Sequence, residues 1–273
     1  MKITGFPTRY DNYIWVLETE NSHDSSSPAW IVDPGESHLI IDYFKKNNLE
    51  LMGILLTHHH YDHTDGIEEV LNQLGNVPII SNSLGPYDKV TKHVKEDDVI
   101  EVLGEKFKIL DIPGHSHEHI AFYNPKYLFC GDVLFTAGCG KAWCQSSQHM
   151  ADSLLKIRKL DDDCLVYCGH EYTYGNINFA AIAEPDNQAI KQRQQSVKEK
   201  TKVGIPCVPE RLAVEKQTNP FLRFDSGTLK QSILKQANQY ENFAMQDTGN
   251  LYANLRAWKD KLDQTGELEK GLN

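Results

Sequence analysis

The sequence predicts an α+β protein in two parts, a strand-rich part over residues 1–173 and a smaller helical part over 174–273. Three observations carry this reading. Up to about residue 173, short β-rich runs alternate with helical ones. After Gly175 the strand signal disappears and helical patterns follow. Between an apolar run and a helical pattern lies Thr57-His58-His59-His60-Tyr61-Asp62-His63-Thr64-Asp65-Gly66, which holds four of the chain's 12 histidines.

Taken in order, Tyr13 to Glu18 and Ala29 to Val32 are rich in β-branched and aromatic residues and read as strands. Asn21 to Pro28 between them, with four serines, reads as a solvated loop. Leu39 to Lys46 reads as a helix. Leu51 to Leu56 is an unbroken apolar run of strand length, and Ile67, Val70, Leu71 and Leu74 recur at helical spacing. The histidines therefore fall in a tight loop leaving a strand, where a rigid element can aim several side chains at one point. Val77 to Ile80, Val99 to Leu103, Lys106 to Leu110, Ile120 to Tyr123, Tyr127 to Cys130 and Leu165 to Cys168 continue the strands, with a helix over Ala151 to Leu160. Ile177 to Ala183, Asn187 to Thr201, Thr228 to Asn238 and Leu251 to Leu262 read as helices. Pro206 and Pro209 mark a non-helical connector. No internal repeat is visible.

At 273 residues and 40% hydrophobic content the chain can bury a sizeable core. The first residues contain no apolar stretch of signal-peptide length, and no run approaches the roughly 18 apolar residues of a membrane span. The six cysteines show no CxxC and read as reduced thiols, so the expected compartment is the cytoplasm. Charge is divided unevenly. Residues 1–173 carry 14 basic and 26 acidic side chains, a balance of −12, whereas 174–273 carry 14 and 12, a balance of +2. An acidic first part speaks against a nucleic-acid partner, which requires clustered basic residues.

Imidazole and carboxylate are the ligands that borderline divalent metals such as zinc prefer. Three later fragments repeat the design of the first, a strand followed by a sharp turn and a metal-type ligand. Ile112-Pro113-Gly114-His115-Ser116-His117-Glu118-His119 sets three histidines in a Pro-Gly turn, Cys130-Gly131-Asp132 ends a strand on a carboxylate, and Cys168-Gly169-His170 ends one on a histidine. Each alone is a weak signal, since a single His after Gly is more often a surface or core residue. Four in one chain point to a metal centre.

The succession HxHxDH, PGH, GD and GH resembles the metallo-β-lactamase superfamily of metallohydrolases. Ala137 to Lys141 (AGCGK), Cys168 to Thr173 (CGHEYT), Asn219 to Arg223 (NPFLR) and Leu255 to Asp260 (LRAWKD) are similar to the glyoxalase II, or hydroxyacylglutathione hydrolase, family nearly end to end. The resemblance implies an αββα sandwich over residues 1–173 and a helical substrate-binding domain over 174–273. It implies two divalent metal ions, zinc first, with iron or manganese also compatible with the ligands. His58, His60 and His115 would hold one, and Asp62, His63 and His170 the other, with Asp132 bridging. Two metals sharing a water lower its pKa from 15.7 towards about 7, so Asp62 and Asp132 serve a hydroxide nucleophile and no Ser or Cys nucleophile is needed. His59, next to the ligands, is expected to point away into a structural hydrogen bond. His119 should hold the loop, and His117 should be exposed.

The implied substrate is S-D-lactoylglutathione or another 2-hydroxyacylglutathione, a small molecule read by Lys141, Trp143, Tyr172, Arg256 and Lys259, with the protein a monomer apart from membranes. Taken locally, Arg256 and Lys259, three apart on a helix, would pass for a solvated face. Two departures from the family pattern concern affinity. Ala142-Trp143-Cys144-Gln145 replaces an aromatic pair and Glu-Gly, and Asp65 stands where glycine is common. The rival within the superfamily is a glutathione persulfide dioxygenase with one iron, which lacks the helical extension. A nuclease would need a basic face, a flavodiiron reductase a glutamate at position 60, and a non-catalytic binding module a lost ligand.

Overall fold

Two six-stranded sheets carry the first part of the chain in the computed structural model, which describes residues 1–9, 11–19, 26–143, 146–237 and 248–270. The first sheet follows chain order: β1 (Lys2–Thr8), β2 (Asn12–Glu18), β3 (Ser27–Val32), β4 (Leu49–Leu55), β5 (Ile79–Asn82) and β6 (Lys92–Val94). Its first two joints are antiparallel and the rest parallel. In the second sheet β7 (Val99–Val102), β8 (Glu105–Asp111), β9 (Ile120–Tyr123) and β10 (Tyr127–Gly131) form an antiparallel meander. A two-stranded ribbon, β11 (Leu134–Phe135) with β12 (Gly138–Cys139), comes next. β13 (Leu165–Cys168) then pairs parallel with β10, and β14 (Glu210–Arg211) closes the edge. The helices are α1 (His38–Lys46), α2 (Tyr61–Thr64), α3 (Ile67–Leu74), α4 (Ser147–Arg158), α5 (Thr173–Ala183), α6 (Gln188–Lys202), α7 (Leu212–Thr218), α8 (Gly227–Ala237) and α9 (Thr248–Gln264).

The alternation of β2 explains the layers. Ile14 and Val16 join Ile40, Ile41 and Phe44 of α1 and Ile67 and Val70 of α3 in one core. Tyr13, Trp15 and Leu17, pointing the other way, join Phe107, Ile109 and Phe129 of the second sheet. That second core continues to Met150, Ala151, Leu154 and Ile157 of α4. Helix, sheet, sheet and helix are thus stacked as an αββα sandwich. A central strand covered on both faces has no polar side to expose, and all seven residues of β2 are buried. Each fully buried Leu, Ile or Phe contributes roughly 1.5–3 kcal/mol, so burial dominates this assembly. The Trp15 Nε1–H adds direction by donating to the Cys168 carbonyl at 3.0 Å, which ties the two sheets together.

The later helices obey the same rules. Asn187 caps α6, its side-chain oxygen accepting from the Ala189 and Ile190 amides at 3.1 and 3.3 Å. Ile190, Arg193 and Val197 form its buried face at helical spacing. α9 does not rest on its own helices alone. It packs along α4, where Gln148 accepts from the Gly249 amide at 2.9 Å and donates to Thr248 Oγ1 at 2.8 Å.

Several sequence expectations shift. β1 and β6 were not foreseen, because Gly5 and Pro7 in β1 and the polar β6 lack a strand signal. α7 was also missed, and α4 begins four residues before Ala151. The part after residue 173 is not purely helical, since β14 adds to the second sheet. The predicted loop at Tyr61–Thr64 is wound into one helical turn by hydrogen bonds from the His63 amide and Thr64 Oγ1 to the His60 carbonyl. Residues 21–25 of the serine loop, Asn238, Cys144 and Gln145 lie outside the described residues. Five cysteines are free and buried. Among the described residues, no helix is long and apolar enough to cross a membrane.

Candidate metal centre and substrate cleft

The carboxyl ends of parallel neighbours meet at one edge of the sandwich. β3 ends on Asp33, β4 runs into His58 and His60, β10 ends beside Asp132 and β13 beside His170. The turn of α2 presents Asp62 and His63, and the loop after β8 presents His115. All seven residues expected as metal ligands are brought together. His58 Nε2 and His115 Nε2 lie 3.1 and 3.0 Å from His60 Nδ1. Asp62, His63, Asp132 and His170 form a second group of converging ligand atoms. Asp132 faces both groups. Its Oδ2 is 3.5 Å from His115 Nε2 and 3.1 Å from His170 Nε2, and its Oδ1 is 3.4 Å from His63 Nε2.

The outer nitrogens fix which atom of each ring faces inward. His115 Nδ1 donates to the Lys141 carbonyl at 3.0 Å, His170 Nδ1 to Asp11 at 2.9 Å and His63 Nδ1 to Asp33 Oδ2 at 3.0 Å. Thr57 Oγ1 donates to Asp33 at 2.7 Å, so it accepts from His58 Nδ1 at 3.0 Å. In these four rings the outer partner fixes a proton on Nδ1, which leaves Nε2 as the atom that faces inward, the arrangement that metal-binding histidines require. His63 Nε2 and Asp132 Oδ1 are buried without a hydrogen-bond partner among the described residues. Such atoms are costly unless something between them bonds both, and a divalent cation fits a His/Asp donor set.

Electrostatics separates the two groups. Burial pushes the imidazoles of His58, His60 and His115 down, so they are neutral lone-pair donors. His63 is also buried, but Asp132 and Asp33 outweigh burial and raise it to about 10. Burial likewise opposes, and Asp132 and Asp11 override, in raising His170. Against its own burial, Asp132 is held well below the usual carboxylate range by His170 and His63. The carboxylates thus demand positive charge at this spot, as protons or as a cation.

Gly169 and Gly131 leave the room this packing needs. A Cβ at Gly169 would stand 2.2 Å from Asp132 Oδ1, and one at Gly131, whose φ is +47°, 2.4 Å from Thr57 Oγ1. His59 turns away, as expected, onto Glu118 at 2.5 Å. His119 stacks on His58 and accepts from the Asp132 amide at 3.2 Å, and His117 is exposed. Asp65 is turned from the ligands to Arg9, at 3.0 Å.

A cleft of about 1120 Å³ opens over these groups. His60, Asp62, His115, Asp132 and His170 lie on its floor, and Lys141, Trp143, Tyr172, Arg256 and Lys259 line it too. Tyr172 stacks on His170 with rings 4.8 Å apart and 7° from parallel. Trp143 is 64% exposed at the rim, with Lys141 Nζ 5.4 Å above its ring. Arg256 and Lys259 are no solvated face, being only 8% and 7% exposed. Arg256 donates to the Cys139 carbonyl at 3.2 Å and to Asp260 and Asp263, and Lys259 to Asp263 at 2.8 Å.

Asp33, Asp11, Glu118 and Asp263 were not foreseen. Asp33 had a visible signal, since Val32-Asp33-Pro34-Gly35 is another strand ending on a carboxylate beside a small turn. Asp11, Glu118 and Asp263 carry none, because their roles depend on partners 159, 59 and four to seven residues away in sequence.

Residues 14–170 match the family described as the metallo-beta-lactamase superfamily, and residues 171–262 match "Hydroxyacylglutathione hydrolase C-terminus". A hydroxyacylglutathione hydrolase of Hydrogenovibrio crunogenus is 57% identical over 273 residues, covering 100% of both chains. One of Nitrosomonas eutropha is 39% identical over 262 residues, 94% of this chain and 98% of the other. Among solved structures, the BLEG-1 B3 metallo-beta-lactamase superposes with a TM-score of 0.61 at 19% identity, covering 81% of this chain and 99% of that one. ETHE1 from Myxococcus xanthus superposes with a TM-score of 0.61 at 19% identity, covering 95% and 98%. Likeness at that identity speaks for the fold alone.

Proposed function

Because the chain belongs to the hydroxyacylglutathione hydrolase family of the metallo-β-lactamase superfamily, we propose that it hydrolyses S-D-lactoylglutathione and other 2-hydroxyacylglutathiones to glutathione and a 2-hydroxy acid, D-lactate in the first case. This is the second step of methylglyoxal detoxification. One observation carries the reading: a His/Asp centre able to hold metal ions forms the floor of a cleft whose wall bears Arg256 and Lys259.

In this reading His58, His60 and His115 hold one divalent ion and Asp62, His63 and His170 the other, with Asp132 between them. Zinc suits the donors first, and iron and manganese accept them too. Bound there, the ions supply a water of pKa near 7 and polarise the thioester carbonyl. The residues do the rest. Asp11, Asp33, Thr57 and the Lys141 carbonyl keep the imidazole lone pairs aimed inward. Asn12 holds Asp62 through a donated bond at 3.0 Å. A thiolate leaves without obligatory protonation, its pKa being near 8.5, so no acid is needed at the sulfur. Residues 174–273 act as the substrate-binding unit, with Arg256 and Lys259 reading the glycine carboxylate and Lys141, Trp143 and Tyr172 nearer the sulfur.

Metal analysis of protein purified without chelator should give two ions per chain alongside thioester hydrolysis. One iron per chain with oxygen consumption on glutathione persulfide would instead establish a dioxygenase. The substrate assignment is tested separately. Arg256→Ala and Lys259→Ala should each raise KM roughly tenfold with little change in kcat, as loss of a charged hydrogen bond outside the reacting atoms implies. Equal losses on a thioester lacking the glycine carboxylate would show that these cations do not read it.

A further inference from the structure

Arg256 and Lys259 already hold a carboxylate. Both oxygens of Asp263 are engaged, Oδ1 at 3.0 Å from Lys259 Nζ and Oδ2 at 2.8 Å from Lys259 Nζ and 3.2 Å from Arg256 Nη2. Asp260 takes Arg256 Nε and Nη2 on one oxygen at 3.0 and 2.8 Å, and the Cys139 carbonyl takes Nη1. Four of the five guanidinium N–H donors are therefore in use, and no pair of parallel donors remains for a bidentate carboxylate. The two acids differ in place. Asp263 lines the cleft beside Arg256 and Lys259, whereas Asp260 is not among the lining residues and also lies 3.8 Å from Lys141 Nζ. Glu269 lines the same stretch, and burial and then Asp263 push its carboxyl up. An arriving anion thus meets two cations matched by two aspartates, with a further acid close by.

Resting on the glutathione-binding reading above, we infer that Asp263 is a built-in competitor of the substrate: its carboxylate occupies the two cations in the free protein and must swing away before a ligand carboxylate can take them. The exchange is one carboxylate for another, so most of the attraction is already satisfied before binding. Affinity for acyl-glutathione is thereby lowered, and product glutathione, which carries the same carboxylate, is lowered with it. The position of Asp263 on the last turns of α9, with its side chain 37% exposed, lets it move without disturbing the buried stems of Arg256 and Lys259.

The test is steady-state hydrolysis by the metal-loaded enzyme, with glutathione as product inhibitor. Asp263→Asn should lower KM for acyl-glutathione and the Ki of glutathione by about fivefold each, as loss of one partly exposed competing ion pair implies. Asp263→Glu, which keeps the charge, should stay near the wild type. KM for a thioester lacking the glycine carboxylate should not change in either variant. An unchanged or raised KM for acyl-glutathione in Asp263→Asn overturns the competitor role and makes Asp263 a positioning counter-ion. That failure is separable from failure of the binding reading itself, which shows as Arg256→Ala losing equally on full and truncated thioesters.

Discussion

Replacing Asp132 by alanine should lower thioester hydrolysis by at least roughly a thousandfold and leave the sandwich folded. The size of the effect follows from geometry. Among the described residues Asp132 is the acid that faces His115 on one side and His63 and His170 on the other. Without it each proposed ion keeps three protein ligands and nothing from the protein joins the two. Ions held there would lose the carboxylate that faces both groups, and with it the placement of the water they would activate. The fold survives because Asp132 makes its structural bond through its backbone, the amide donating to His119 Nε2. The imidazoles left behind can shed their protons rather than stay charged and buried. Metal content, hydrolysis rate and thermal unfolding by circular dichroism, measured on one preparation, check all three parts. A variant that retains two ions and works within tenfold of the wild type would remove Asp132 from the bridge.

Asp33→Ala acts differently, through both stability and metal affinity. Asp33 is 3% exposed and accepts three bonds: the Thr57 amide at 2.8 Å, Thr57 Oγ1 at 2.7 Å and His63 Nδ1 at 3.0 Å. Alanine leaves all three donors buried and unpaired, at about 1–3 kcal/mol each. Even the low end, about 3 kcal/mol, lowers the melting temperature by roughly 10 °C in a chain of this size. His63 also loses the partner that sets its tautomer, which by analogy with outer partners elsewhere weakens metal binding about 10–100-fold. Asp33→Asn, with one carbonyl oxygen remaining, should fall between. A melting temperature and metal affinity equal to the wild type would show that other groups hold His63.

The convergence of the candidate metal ligands was legible because their pattern is local. His58, His60, Asp62 and His63 sit within six positions, and His115, Asp132 and His170 each follow a strand with a glycine just before them. The sandwich was legible for a similar reason, since central strands such as β2 and β4 must be apolar over most of their length. Edge strands escape this rule. Gly5 and Pro7 weaken the strand signal of β1, and the strand forms because all seven of its residues pair with the fully buried β2. Burial of Arg256 and Lys259 was equally invisible, because their helix alternates charge as a solvated one does. What surrounds Arg256 is the Phe221 ring, 5.3 Å away, and the Cys139 carbonyl, 117 positions away in sequence. Asp263 looked like any surface acid for the same reason.

The docking of α9 along α4 has a consequence for what the cleft can select. α4 belongs to the core that also contains Phe129, three residues before Asp132, so the wall and the floor are mounted on one frame. Packing on one frame limits how far the span from the two cations to the ligand-bearing edge can vary, so the proposed binding site would act as a ruler. If Arg256 and Lys259 grip the carboxylate as proposed, a peptide thioester would deliver its carbonyl to the floor only where its backbone matches that length. On that proposal a tripeptide would be told from a longer or shorter thiol by reach.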